Sequence, residues 1–101
     1  MTMAAKGLAK LIEECGELVA VAGKRLAYYT TDDHPDGGPS LVTRLEDEIA
    51  DVCAAIALVI SMNDLSEERI QSRAERKTLL FMSWNEDPDN NADGVDRGGY
   101  R

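Results

Sequence analysis

Two pairs of acids carry the chemistry this sequence suggests, Glu14 with Glu17 and Glu48 with Asp51, each pair three residues apart. On a helix, residues at that spacing project from the same side, so each pair can converge on one point. Glu13 stands beside the first pair and points further round the helix. Four carboxylates gathered beside an apolar surface repel one another, and protons or cations must then neutralise some of them. Hard divalent cations with oxygen ligands are the natural counter-charge. Di-iron carboxylate bundles draw on Glu-x-x-His motifs, and the single histidine, His34, falls outside every helical segment. Oxygen-only ligands therefore favour Mg2+, with Mn2+ the second choice. The alternative is that each pair belongs to the solvated face of an amphipathic helix.

Bringing the pairs together requires two long helices side by side. The periodicity predicts an all-α chain with helices over about 4–28, 41–62 and 67–84 and no strand. The first helix has a broad apolar arc that includes Leu8, Leu11, Ile12, Cys15, Leu18, Val19 and Leu26, the expected core-facing stripe. Next to it runs a strip of small residues, among them Ala9, Gly16, Ala20 and Gly23. Glycine inside a helix costs up to about 1 kcal/mol relative to alanine, so Gly16 and Gly23 predict a closely packed neighbour. The second helix repeats the layout, with Leu45, Ile49, Val52, Ile56 and Val59 on its arc and Ala50, Ala54, Ala57 and Ser61 on its strip. Glu48 and Asp51 lie on the same flank of that arc as Glu14 and Glu17 do on theirs. Antiparallel packing would gather all four acids beside the core. The middle of the second helix, residues 54–60, is apolar almost all round. Three helices of one chain hardly cover such a surface, which predicts a helical bundle completed by a second chain, as a homodimer or a dimer of dimers.

The connections are equally legible. Residues 29–39 include two prolines and two glycines, Pro35, Gly37, Gly38 and Pro39, and form a long loop suited to closing over a ligand or packing at a subunit boundary. The second helix starts either at Ser40 or at Thr43, which has Glu46 three residues on as a capping box. Ser66 is the expected N-cap of the third, with Glu67 and Glu68 favourable to its dipole. Beyond a helical domain over 1–84, residues 85–101 form an acidic tail with too little apolar surface to offset its ordering entropy. The tail's Asp89-x-Asn91-x-Asp93-Gly94 resembles the front of a calcium loop, but Tyr100 stands where the bidentate acid belongs, which favours a solvated tail.

Composition narrows the partners. The chain has 101 residues, room for one domain, and its 19 acids against 11 bases give a net charge of −8. Binding to nucleic-acid polymers or anionic membranes relies on a surplus of Lys and Arg, so both are excluded as expected partners. No apolar stretch approaches the roughly 20 residues that span a bilayer, and no secretory pattern opens the chain, which predicts a cytoplasmic protein. Cys15 and Cys53 are too few for a disulfide scaffold or a zinc site.

The strings Leu11-Ile12-Glu13-Glu14-Cys15-Gly16-Glu17-Leu18 and Leu45-Glu46-Asp47-Glu48-Ile49-Ala50-Asp51-Val52 resemble the first two helices of the MazG-like all-α nucleoside triphosphate pyrophosphohydrolases. The resemblance extends over residues 5–84. It implies hydrolysis between the α and β phosphates of an NTP or dNTP, giving a monophosphate and pyrophosphate. It also implies that Glu14, Glu17, Glu48 and Asp51 hold magnesium while Glu13 helps position or deprotonate the attacking water. Phosphates the metal leaves unneutralised call for basic partners. Lys10 and Arg44, each one turn before an acid pair, and Arg73 and Lys77 of the third helix are the expected ones. A surface salt bridge is the competing role for each. The competing function is a non-catalytic helical interaction module or an inactive relative with the same fold.

Overall fold

The computed structural model describes residues 5–31 and 35–85. His34, the calcium-loop pattern and the tail after Asn85 lie outside the described residues. Three helices follow one another, α1 (Leu8–Ala27), α2 (Leu41–Asn63) and α3 (Glu67–Asn85), and no strand occurs among the described residues. None of these helices is long and apolar enough to cross a membrane. The chain divides after Leu65 into two compact units, the first containing α1 and α2 and the second α3.

In the first unit α1 and α2 pack as an antiparallel hairpin. The residues of α1 that solvent reaches least are Leu11, Glu14, Leu18 and Val21, followed by Arg25, and they recur in alternating steps of three and four. The corresponding residues of α2 are Leu41, Leu45, Glu48, Val52, Ala55 and Val59, again in steps of four and three. This is the spacing of a two-helix seam. Leu41, Ala55 and Val59 are its buried apolar residues.

The register is fixed where the start of α1 meets the end of α2. Asn63 Nδ2 donates to the carbonyls of Lys6 and Val59, both at 2.8 Å, and the Lys6 N–H donates to Asn63 Oδ1 at 3.2 Å. Between these partners Gly7 adopts φ 81°, a left-handed conformation that favours glycine. A Cβ there would stand 3.2 Å from Val59 Cγ2, a tight contact that Val59 would have to relieve, so the close approach also favours glycine. This left-handed residue starts α1 at Leu8, later than the periodicity alone predicts. At the other end Ser40 is the N-cap of α2, its Oγ accepting from the Thr43 N–H at 3.1 Å. That decides between the two starts the sequence allowed.

Two expectations about packing need correction. The broad arc of α1 is not a single core-facing stripe: only its edge at Leu11 and Leu18 enters the seam, and Ile12 and Val19 are each 71% exposed. A hairpin gives each helix one neighbour, which covers one edge and leaves the rest. Nor, outside the adjoining turns of α1, does a described atom lie within 4 Å of a Cβ built at Gly16 or Gly23, so these glycines do not serve the packing of α1 on α2.

In the second unit Ser66 caps α3, its Oγ accepting from the Arg69 N–H at 3.1 Å, with Glu67 and Glu68 in the first turn. Phe81 and Trp84 pack on each other with ring centroids 5.1 Å apart, and no residue of α3 is fully buried.

The side chain of Asn63 makes three hydrogen bonds that alanine cannot replace. Asn63→Ala should lower the unfolding free energy by about 1–2 kcal/mol in urea titration. An unchanged midpoint would show that the hairpin register does not depend on this latch.

Candidate functional site

Seam geometry puts two of the acids in unusual places. Glu14 and Glu48 occupy steps of the α1–α2 seam that an apolar residue would ordinarily fill. Glu14 is 8% exposed and Glu48 is half-buried. One oxygen of each, Oε1, is buried without a hydrogen-bond partner among the described residues. Asp51, one turn beyond Glu48 on α2, and Glu17, one turn beyond Glu14 on α1, are exposed.

The carboxylates converge. Glu14, Glu48 and Asp51 each offer an oxygen, all within 4.8 Å of one another, and Glu13, Glu14 and Glu17 form a second such group. Glu14 belongs to both and links the helices. Glu17 also acts on Glu48 as a neighbouring negative charge. All five sequence-predicted acids therefore stand in one neighbourhood, with Glu13 at its outer edge.

This crowding shows in the protonation of Glu48. Burial first, then the negative charges of Glu17, Asp51 and Glu14, push its carboxyl above the ordinary range. Lys10 supplies the nearest positive charge, its Nζ lying 3.1 Å from Glu13 Oε1 and 3.3 Å from Glu14 Oε2. Hydrogen bonding to Glu13 and then Glu14 raises its pKa in turn. A single ammonium leaves the buried Oε1 atoms of Glu14 and Glu48 unsatisfied. An all-oxygen donor set with orphaned buried oxygens fits a hard divalent cation such as Mg2+ or Mn2+. Glu14, Glu48 and Asp51 would hold it, with Glu17 adjacent.

Beside the acids lies an open cleft of about 230 Å3, lined by Lys10, Glu14, Asp51, Ala54, Ala55 and Leu58. The acids and Lys10 form its polar wall and the α2 side chains beyond them form an apolar one. Sequence reasoning did not assign Ala54, Ala55 and Leu58 to a site. The available signal was two consecutive alanines a turn after Asp51, where small side chains leave space next to the acids.

The other basic residues stand elsewhere. Arg44 turns to the loop: Nη1 and Nη2 pair with both oxygens of Asp36 at 2.9 and 2.7 Å, and Nε donates to the Pro39 carbonyl at 2.7 Å. Asp36 also accepts from the Gly38 N–H at 2.9 Å. A Cβ at Gly38 would meet the Arg44 guanidinium, so glycine lets that group lie flat against the loop. Arg25 of α1 donates to the Thr31 carbonyl at 2.9 Å. Arg73 and Lys77 stand four apart on α3, in the second unit. Comparison with protein families, with curated proteins and with solved structures returned no match.

The raised pKa of Glu48 has a consequence for stability. A carboxyl that holds its proton more tightly in the folded state favours folding below its unfolded pKa, and that contribution is lost as pH rises through the folded pKa. Without divalent cations, the melting temperature should therefore fall as pH rises from about 4.5 through the raised folded value. Glu48→Gln should flatten this dependence and melt higher than the parent at neutral pH. A parent and variant with parallel pH profiles would show that Glu48 is not under this strain.

Proposed function

We propose that this chain is a Mg2+-dependent nucleotide pyrophosphohydrolase that cleaves an NTP or dNTP between the α and β phosphates. The observation that carries this reading is the meeting of Glu14, Glu48 and Asp51 across two helices, with buried carboxylate oxygens left unpartnered. The resemblance of both acid motifs to the MazG-like pyrophosphohydrolases supports it. A nucleoside triphosphate, with about four negative charges, would be repelled by this acidic wall alone. When bound, Mg2+ or Mn2+ reverses the local sign, lowers the pKa of water and stabilises the charge that develops at phosphorus.

Each of the chain's own residues has a task in this reaction. Glu14, Glu48 and Asp51 would hold the cation with Glu17 beside them, as the resemblance implies for all four, and Glu14 would do so from a fixed position because the seam surrounds it. Glu13 orients the attacking water and takes its proton. The water oxygen bonds to phosphorus, the bridging P–O bond breaks, and its electron pair leaves with pyrophosphate. Lys10, on the wall of the cleft, meets phosphate oxygens. Arg44 contributes indirectly by tying the loop to the first turn of α2.

A second copy of the chain belongs to the same proposal. Leu8, Ile12, Cys15, Val19, Ala22 and Leu26 recur in steps of four and three along a second edge of α1 and are all exposed. Ile49 and Ile56 of α2 are exposed as well. These edges suit helix-on-helix packing in a homodimer or a dimer of dimers.

The deciding experiment follows pyrophosphate release from a nucleotide panel with Mg2+, Mn2+ or EDTA. Hydrolysis should require metal and yield pyrophosphate with a monophosphate. Glu14→Gln, Glu48→Gln and Asp51→Asn should each lower turnover by about 100-fold or more while the helical circular dichroism is retained. No hydrolysis of any nucleotide with either metal would favour a helical interaction module instead. In sedimentation, Val19→Glu should convert the assembly to monomer, and a parent that sediments as a monomer would refute the second copy.

A further inference from the structure

We propose that Lys10 is an internal counter-ion of the acid cluster that a divalent cation displaces into the cleft, where its ammonium then serves an incoming anion. The inference rests on the cation site proposed above and adds a coupling between the cation and the anion.

Three observations carry it. The Lys10 ammonium already pairs with a ligand of the proposed cation, standing 3.3 Å from Glu14 Oε2 and 3.1 Å from Glu13 Oε1. The two sides of the Glu14 pair differ in freedom, since the Lys10 side chain is 55% exposed and that of Glu14 only 10%. A competing cation therefore moves the lysine and leaves the glutamate in place. Third, Lys10 lines the cleft together with Glu14 and Asp51, so an ammonium released from the carboxylates remains at the cleft wall. Charge favours the exchange. Glu13, Glu14, Glu17, Glu48 and Asp51 form one neighbourhood around a single ammonium at its edge, and a divalent cation neutralises more of that charge than a lysine does.

Two ligands are then linked through one side chain. Lys10 and the cation compete for the charge of Glu14, which Lys10 holds through Oε2, and the anion gains a partner once the lysine pairs are broken. Each ligand thereby favours the other. Lys10 acts on the cation as a competitor and on the anion as a direct contact, so its removal should move the two affinities in opposite directions. A residue that merely kept Glu14 in shape would move them together.

The test is Mn2+ binding to the full chain, followed by calorimetry and by the resonance of free Mn2+, in the parent, Lys10→Met, Lys10→Gln and Lys10→Arg. The methionine and glutamine variants should bind Mn2+ about three- to tenfold more tightly, the scale set by losing the pairs of an exposed lysine. With Mn2+ saturating, the same variants should bind inorganic tripolyphosphate about fivefold or more weakly, whereas the arginine variant stays near the parent in both. Unchanged or weaker Mn2+ binding in both uncharged variants would overturn the displacement while leaving the cation site standing. So would an arginine variant that behaves like methionine. Absence of Mn2+ uptake by every protein, parent included, would overturn the cation site and this inference together.

Discussion

Burial of like charge between two helices is the constraint around which the first unit is arranged. Glu14 and Glu48 take seam positions where Leu or Val would pack, and each leaves an oxygen inside with no hydrogen bond. Desolvation and the neighbouring charges of Glu17, Asp51 and Glu14 oppose ionisation of Glu48. The hairpin tolerates this because apolar contact holds both sides of the acids. Leu11 and Leu18 flank Glu14 on α1, while Leu45 and Val52 flank Glu48 on α2. A local departure from good packing, supported by orthodox packing around it, is what a functional site built on rigid elements looks like.

The ends of the hairpin keep those carboxylates in register. At one end the Asn63 latch and left-handed Gly7 bring the start of α1 against Val59. At the other, Ser40 caps α2, and Arg44 ties Asp36 and Pro39 to its first turn. A slide of one helix by a single residue would separate Glu14 from Glu48 and rotate the acids out of the seam. Arg44 and Lys10 hold equivalent sequence positions, each one turn before an acid pair, yet they do different things. Arg44 reaches back to the loop that precedes α2. Lys10, with only Ala5–Gly7 of the described chain before its helix, turns to Glu13 and Glu14.

Much of this was legible because helices, caps and turns depend on neighbours in sequence. Ser40 and Ser66 bond to amides three residues on, and the α2 and α3 boundaries fall within a residue of those the periodicity gives. The meeting of the acid pairs was legible too, since equal spacing on equivalent flanks leaves few ways to pack two helices. The rotation of α1 was less so. Its residues 11, 14, 18 and 21 and its residues 8, 12, 15, 19, 22 and 26 both recur at seam spacing, and the second set is the more apolar. Hydrophobicity alone therefore favours the edge that does not face α2.

Sequence by itself determined three helices, the N-caps of α2 and α3, and two acid pairs at matching spacing, because each follows from interactions within about one helical turn. Tertiary structure decided that Glu14 enters the seam while Ile12 and Val19 stay exposed, that Arg44 serves the loop, and that Ala54, Ala55 and Leu58 wall a cleft beside the acids. The seam and the cleft rest on α1 meeting α2 in the register that Asn63 and Lys6 share across 57 residues of chain, a contact that no local periodicity encodes, and the Arg44 pairing rests on how the loop before α2 turns.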